Sequence, residues 1–294
     1  MLKSFSASNE PISATIKEDA VTFWEKLMNL DRRWIYLCIF ISVIIPAVVS
    51  FKVPISTTPE VKKVFDFIEE MEPGEYFYLG IDYDPSALAE LDPMTYAILN
   101  QAFSKDLKVI IGCLSQFGVG MADLRLTEVG EKYGKKSGID YCFLGYRPYP
   151  AIVILTMGVN FRVTFPLDYY GVPLDSLPVM QGIKNLMDVK GVIDITAGNV
   201  ADMWITYGNG RFGFPLAIGM TGVMSADYYQ YLQSGQIFGL IPGIKGAAEY
   251  ETLSGFETTG LESIPYQTLS HAVILFFILL SNIGYFATRN RKGR

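Results

Sequence analysis

Val109-Ile110-Ile111-Gly112-Cys113-Leu114 carries no charge and no polar alternation, and Val192-Ile193-Asp194-Ile195 and Ala151-Ile152-Val153-Ile154-Leu155-Thr156 read much the same way. A strand with one wet face alternates apolar and polar residues; a parallel strand covered on both faces is an almost unbroken apolar run. Working outward, Tyr76–Ile81, Asp140–Leu144 and Phe214–Met220 read as further strands. Between them, helical periodicity marks 61–71, 93–103, 121–136, 177–188, 226–233 and 246–253. Strands alternating with helices point to an α/β fold built on a parallel sheet. The expectation is a Rossmann-like three-layer domain with a mostly parallel sheet, which speaks to fold and not to function.

Two apolar runs flank that domain. Residues 34–51 follow Arg32 and Arg33; residues 269–287 precede Arg289, Arg291, Lys292 and Arg294. Neither run contains a charge, and a membrane span needs roughly 17–25 predominantly apolar residues. Lys and Arg gather on cytoplasmic flanks. The expected organisation is a cytoplasmic segment 1–33, a span 34–51, an extracytoplasmic domain 52–268, a span 269–287 and a basic cytoplasmic tail 288–294. The first run lies too far from the N-terminus for an ordinary secretory signal and reads as an uncleaved signal-anchor. Absence of an Asn-x-Ser/Thr sequon in 52–268 fits a prokaryotic plasma membrane. Thr15 to Leu30 reads as an amphipathic helix with capping-box spacing at Thr15 and Glu18, suited to lie in the headgroup layer or to dock a partner helix. In the second span, Ser281 and Asn282 are expected to face Ser42 and Pro46 or to bond their own backbone.

The chain has 294 residues, 50% hydrophobic and 18% charged, with mean hydropathy +0.26. Segment 52–268 holds 15 basic and 25 acidic residues. So acidic a domain is a poor binder of nucleic acid and of anionic headgroups. Cys113 and Cys142 lie in strand-like runs and read as buried thiols or as a disulfide pair. The single histidine, His271, sits at the start of the second span. No Ser-His-Asp triad, no His-based zinc site and no His-activated cysteine is available to the outer domain.

Ligands of open parallel sheets bind beyond the carboxyl ends of the strands. That rule selects Asp82, Asp84, Ser115, Gln116, Arg147, Thr196, Asn199 and Thr221 as candidate ligand-binding residues. The same residue types also build turns and helix caps. Asp82-Tyr83-Asp84 resembles the start of a calcium loop, but Pro85-Ser-Ala-Leu follows and the remaining ligands are missing, so no metal site is expected. Gly118-Val-Gly120 lacks the third glycine of a dinucleotide fingerprint, and Gly239 to Gly246 lacks phosphate-loop spacing, so no cofactor is expected. The aromatic stretch from Tyr141 to Tyr170 serves as core, protein contact or carbohydrate platform. The leading expectation is a membrane-anchored, non-enzymatic protein that assembles with itself or with other membrane proteins. The alternatives are an anchored receptor for a small polar ligand and a carboxylate-dependent extracytoplasmic hydrolase.

Overall fold

The structure, a computed structural model, describes residues 23–289 apart from 25, 28, 50, 52 and 257. The expected helix from Thr15 and the tail residues Arg291, Lys292 and Arg294 fall largely or wholly outside them. Two compact units emerge, one comprising 54–264 and the other 1–53 together with 265–294.

The first unit is a six-stranded, all-parallel sheet. Its strands are β1 (Tyr76–Asp82), β2 (Lys108–Cys113), β3 (Tyr141–Tyr146), β4 (Val192–Thr196), β5 (Leu216–Met220) and β6 (Gly239–Pro242). Their spatial order is β3-β2-β1-β4-β5-β6. This is the doubly wound order, with its reversal point between β1 and β4. The chain winds outward from β1 to β3, returns across the sheet, and winds outward again from β4 to β6.

Alternation along buried strands divides the core into two. Phe77, Leu79 and Ile81 of β1, with Val109, Ile111 and Cys113 of β2, face one helical layer. That layer comprises α2 (Pro59–Glu69), α3 (Leu88–Ser104), α4 (Gly118–Tyr133) and α9 (Gly243–Ser254). Tyr78, Ile110, Val192 and Ile218 face the other. It comprises α5 (Pro150–Met157), α6 (Phe161–Thr164), α7 (Val200–Met203) with the π-helical turn Trp204–Asn209, and α8 (Gly222–Gln233). Each core holds about thirty fully or nearly buried apolar side chains, enough to stabilise a domain of this size.

Three local expectations are corrected. Ala151–Thr156 is not a strand but lies in α5: Tyr149 takes a left-handed φ of 65°, and Pro150 follows at the first helical position. Segment 177–188 is not one helix but a set of 3-10 turns, because Pro178 and Gly182 (φ 81°) interrupt it. Gly239–Pro242, where no strand was expected, is the short edge strand β6.

The second unit holds α1 (Arg32–Val48), of 17 residues, and all but the first turn and a half of α10 (Thr259–Arg289), of 31. Among the described residues, α10 is the one helix long and apolar enough to cross a membrane. Ser42 and Pro46 are buried, and Ser42 Oγ lies 3.4 Å from Ser270 Oγ. Asn282 does not bond across; its Nδ2 donates to Ile278 O, 2.9 Å away.

Candidate functional site at the reversal point of the sheet

Strand register brings Asp82 opposite Thr196, and Gly80 opposite Asp194, at the carboxyl ends of β1 and β4. Asp82 is only 3% exposed. Its Oδ1 accepts hydrogen bonds from Leu114 N (2.5 Å) and Ser115 N (2.7 Å), so the carboxylate latches the turn leaving β2. Thr196 Oγ1 donates to Asp82 O (3.3 Å) and accepts from Gly198 N (3.3 Å). Asp82, Ser115 and Thr196 therefore form one hydrogen-bonded group, with Gln116 exposed beside it.

The other predicted residues are not drawn into that group. Asp84 accepts from Ser86 N (2.8 Å) and Oγ (2.6 Å) and caps a 3-10 turn; these bonds hold its carboxyl below the usual range. Arg147 donates to Thr164 O (3.2 Å) and Tyr146 O (3.0 Å), and its guanidinium lies 5.1 Å from the centre of the Phe165 ring. Asn199 is exposed in the turn before α7. Thr221 precedes α8 without capping it; Glu90 Oε2 reaches Gly222 N instead, at 2.8 Å. Cys113 and Cys142 are free thiols buried in different cores, on opposite faces of the sheet. A disulfide between them is excluded, since their side chains point apart. Burial pushes the Cys142 thiol up to about 12.

Beneath Asp82 lies a group that the strand-end rule missed. Asp194, in the middle of β4, is fully buried. Gly80 makes room for it: a Cβ at position 80 would stand 2.2 Å from Asp194 Oδ1. Gly112 does the same for Tyr78, whose hydroxyl occupies the place of a Cβ, also at 2.2 Å. Trp204, in the π-helical turn after α7, packs its ring tilted against Tyr78 with ring centres 5.2 Å apart. Such turns re-aim side chains and recur at functional sites. Five buried polar atoms here make no well-formed hydrogen bond: Tyr78 Oη, Asp82 Oδ2, both carboxyl oxygens of Asp194, and Trp204 Nε1. Buried polar groups are nearly always paired, so a cluster of unpaired ones calls for an explanation.

Burial pushes Asp194 well above the ordinary carboxyl range, and the charge of Asp82 pushes it further. Burial raises Asp82 as well, while the Asp194 carboxyl and the Ser115 and Leu114 amides hold it down. Tyr78 is raised by burial and then by Asp82. Two adjacent carboxyls in a dry site do not both ionise. The signal for this group was present in the sequence: an Asp inside an apolar strand, with glycines inside two neighbouring ones. No set of three or more His, Cys, Asp or Glu side chains placed to hold a metal occurs among the described residues.

A second kind of surface surrounds α5. That helix is apolar apart from Thr156, yet it packs only Val153, Ile154 and Met157 into the core. Tyr149 is 74% exposed, Ile152 61%, Val159 61% and Val163 68%. Of the aromatic stretch, Tyr141, Phe143, Phe161 and Phe165 are core, whereas Tyr149, Tyr169 and Tyr170 are exposed. The few charges between 145 and 173 are engaged locally: Arg162 with Asp175, and Asp168 with Val172 N. Compared with known protein families, with curated proteins and with solved structures, the chain finds no match, so its function is read from this geometry.

Proposed function

We propose that this is a membrane-anchored, non-enzymatic protein whose α/β unit associates with a second copy of itself through the surface around α5. The observation that carries the reading is the surface at α5 and the segment after it: α5 is apolar apart from Thr156, and Ile152 on it and Val159 and Val163 beyond it are exposed. Exposed apolar surface of this kind marks contact sites. The choice of a second copy rests on charge. Segment 52–268 carries ten more acidic than basic residues, so two copies repel over most of their surface and meet most cheaply where that excess is absent. Residues 145–173 hold two Arg and one Asp, so the acidic excess of the rest of the unit is missing there. Anchoring adds to this, because copies held in one bilayer share orientation and are concentrated in two dimensions.

The anchoring reading takes α10 and α1 as two spans, with both ends cytoplasmic and 52–268 outside. It is supported by the length and apolarity of α10, by the apolar exposed sides of α1, and by the basic residues at 32, 33 and 289–294. Cross-linking tests the association. In native membranes, Val163→Cys in a Cys38→Ser background is expected to give a disulfide-linked dimer on mild oxidation, since Cys113 and Cys142 are buried. No dimer at Val163→Cys or at Ile152→Cys would refute it.

A receptor for a small polar ligand is the second reading, supported by the half-buried Ser115 and exposed Gln116 and Asn199 near the reversal point. A hydrolase reading gains nothing from the carboxyl pair, which is closed to substrate at 3% and 0% exposure.

A further inference from the structure

We propose that the slot among Tyr78, Asp82, Asp194 and Trp204 is an internal site that holds one exchangeable proton. In it, Asp194 carries the proton at neutral pH and Asp82 carries the charge that latches the β2–α4 turn. The argument rests on placement. Gly80 and Gly112 replace two side chains on one face of the sheet, and the space so opened is filled by a carboxyl and a phenol hydroxyl. The five atoms without a well-formed hydrogen bond include two donors, Tyr78 Oη and Trp204 Nε1, and three carboxyl oxygens, and the Trp204 indole and the two carboxyls lie close enough to act on one another.

No basic side chain is among the groups acting on either carboxyl. The titratable groups near the pair are Tyr78 from β1 and, towards Asp194, Tyr228 from α8 on the same face of the sheet, with Cys113 of β2 on the other face. None of them supplies a positive charge, so a proton is the available counter-charge. Asp82 differs from Asp194 in having two backbone amides on Oδ1, which favour its charged form. The pair therefore holds one proton, on Asp194, and its titration belongs to the pair. Losing that proton sets two charges side by side in the core; gaining a second neutralises Asp82 and weakens its grip on Leu114 and Ser115.

The sign of the pH dependence follows. Both carboxyls bind protons more tightly folded than unfolded, so the pair's contribution to stability is fully present below the ordinary carboxyl value and is lost as pH rises above it. The test uses the full-length protein in mild detergent. Infrared difference spectroscopy in H2O and D2O is expected to show a protonated carboxyl stretch at pH 7, absent in Asp194→Asn. Thermal midpoints are expected to fall from pH 5 to pH 8, and to fall less in Asp194→Asn. Should Asp194→Asn not fold, Tyr78→Phe gives the second readout, a frequency shift of the same band through loss of the hydroxyl. Absence of a protonated carboxyl band at pH 7 in the wild type would overturn the proposal. So would a band that neither Asp194→Asn nor Tyr78→Phe alters.

Discussion

Replacing Glu251 by Ala removes a cap that the sequence does not advertise. Glu251 is fully buried on α9, yet its carboxylate serves the start of another helix. Its Oε2 accepts from Thr258 N (3.1 Å) and Leu261 N (2.8 Å), its Oε1 from Gly260 N (3.1 Å), and Thr258 Oγ1 donates to it as well. The first amides of any helix lack intrahelical partners, and here one side chain meets those of Thr258, Gly260 and Leu261. Gly260 permits the approach, since a Cβ there would stand 2.5 Å from Oε1. Hydrogen bonds to a charged group contribute about 1.5–3 kcal/mol each. Three amides at the low end give about 4.5 kcal/mol, and water reaching the half-buried Thr258 and Leu261 returns part of it. The expected loss for Glu251→Ala is about 3 kcal/mol, roughly 150-fold in the folding equilibrium. Glu251→Gln keeps an acceptor oxygen and should lose about half as much. Urea unfolding in mild detergent, followed by tryptophan emission, reads the difference through the midpoint and slope. A loss below about 0.5 kcal/mol for Glu251→Ala would refute the capping argument. Glu249, two residues earlier, accepts from Thr58 N (2.8 Å) and Oγ1 (2.6 Å) at the start of α2, so α9 ties down both ends of the α/β unit.

Gly80→Ala is expected to cost about 1–3 kcal/mol, because its Cβ would collide with the buried carboxyl of Asp194. A neutral result in denaturation would mean that Asp194 has room to move. Asp82→Asn should speed amide exchange in 114–118 relative to the interior of β4, since both latched amides face Oδ1; equal exchange in the two proteins would argue against a latch. Tyr149→Asn should raise stability by up to about 1 kcal/mol, because Asn tolerates the left-handed conformation and the exposed ring packs little. A clear loss in thermal midpoint would show that the Tyr149 ring does more than its exposure indicates.

Apolar runs exposed β2 and, around Asp194, β4 at sight, and a parallel sheet covered on both faces follows from such runs. The same reasoning misplaced α5, since a run of β-branched residues looks alike in a buried strand and in a helix surrounded by apolar groups. What decides it is Tyr149–Pro150, whose turn is a backbone property and not a matter of hydrophobicity. Segment 177–188 had helical spacing, but local punctuation at Pro178 and Gly182 overrode it. At the reversal point, Asp82, Ser115 and Thr196 were legible because strand ends are where ligands sit. Asp194 was not, because that rule looks past the strand and not inside it. Arg147 and Asp84 were legible as polar residues at turns, and turn-building is what they do.

Self-association through the α5 surface is the central claim, and the molar mass of the full-length protein in mild detergent, from light scattering, tests it most directly. The account predicts a discrete oligomer that becomes a monomer, still folded, when Ile152 and Val163 are both replaced by Lys. A monomeric wild type, or an oligomer that survives the double replacement unchanged, would contradict it.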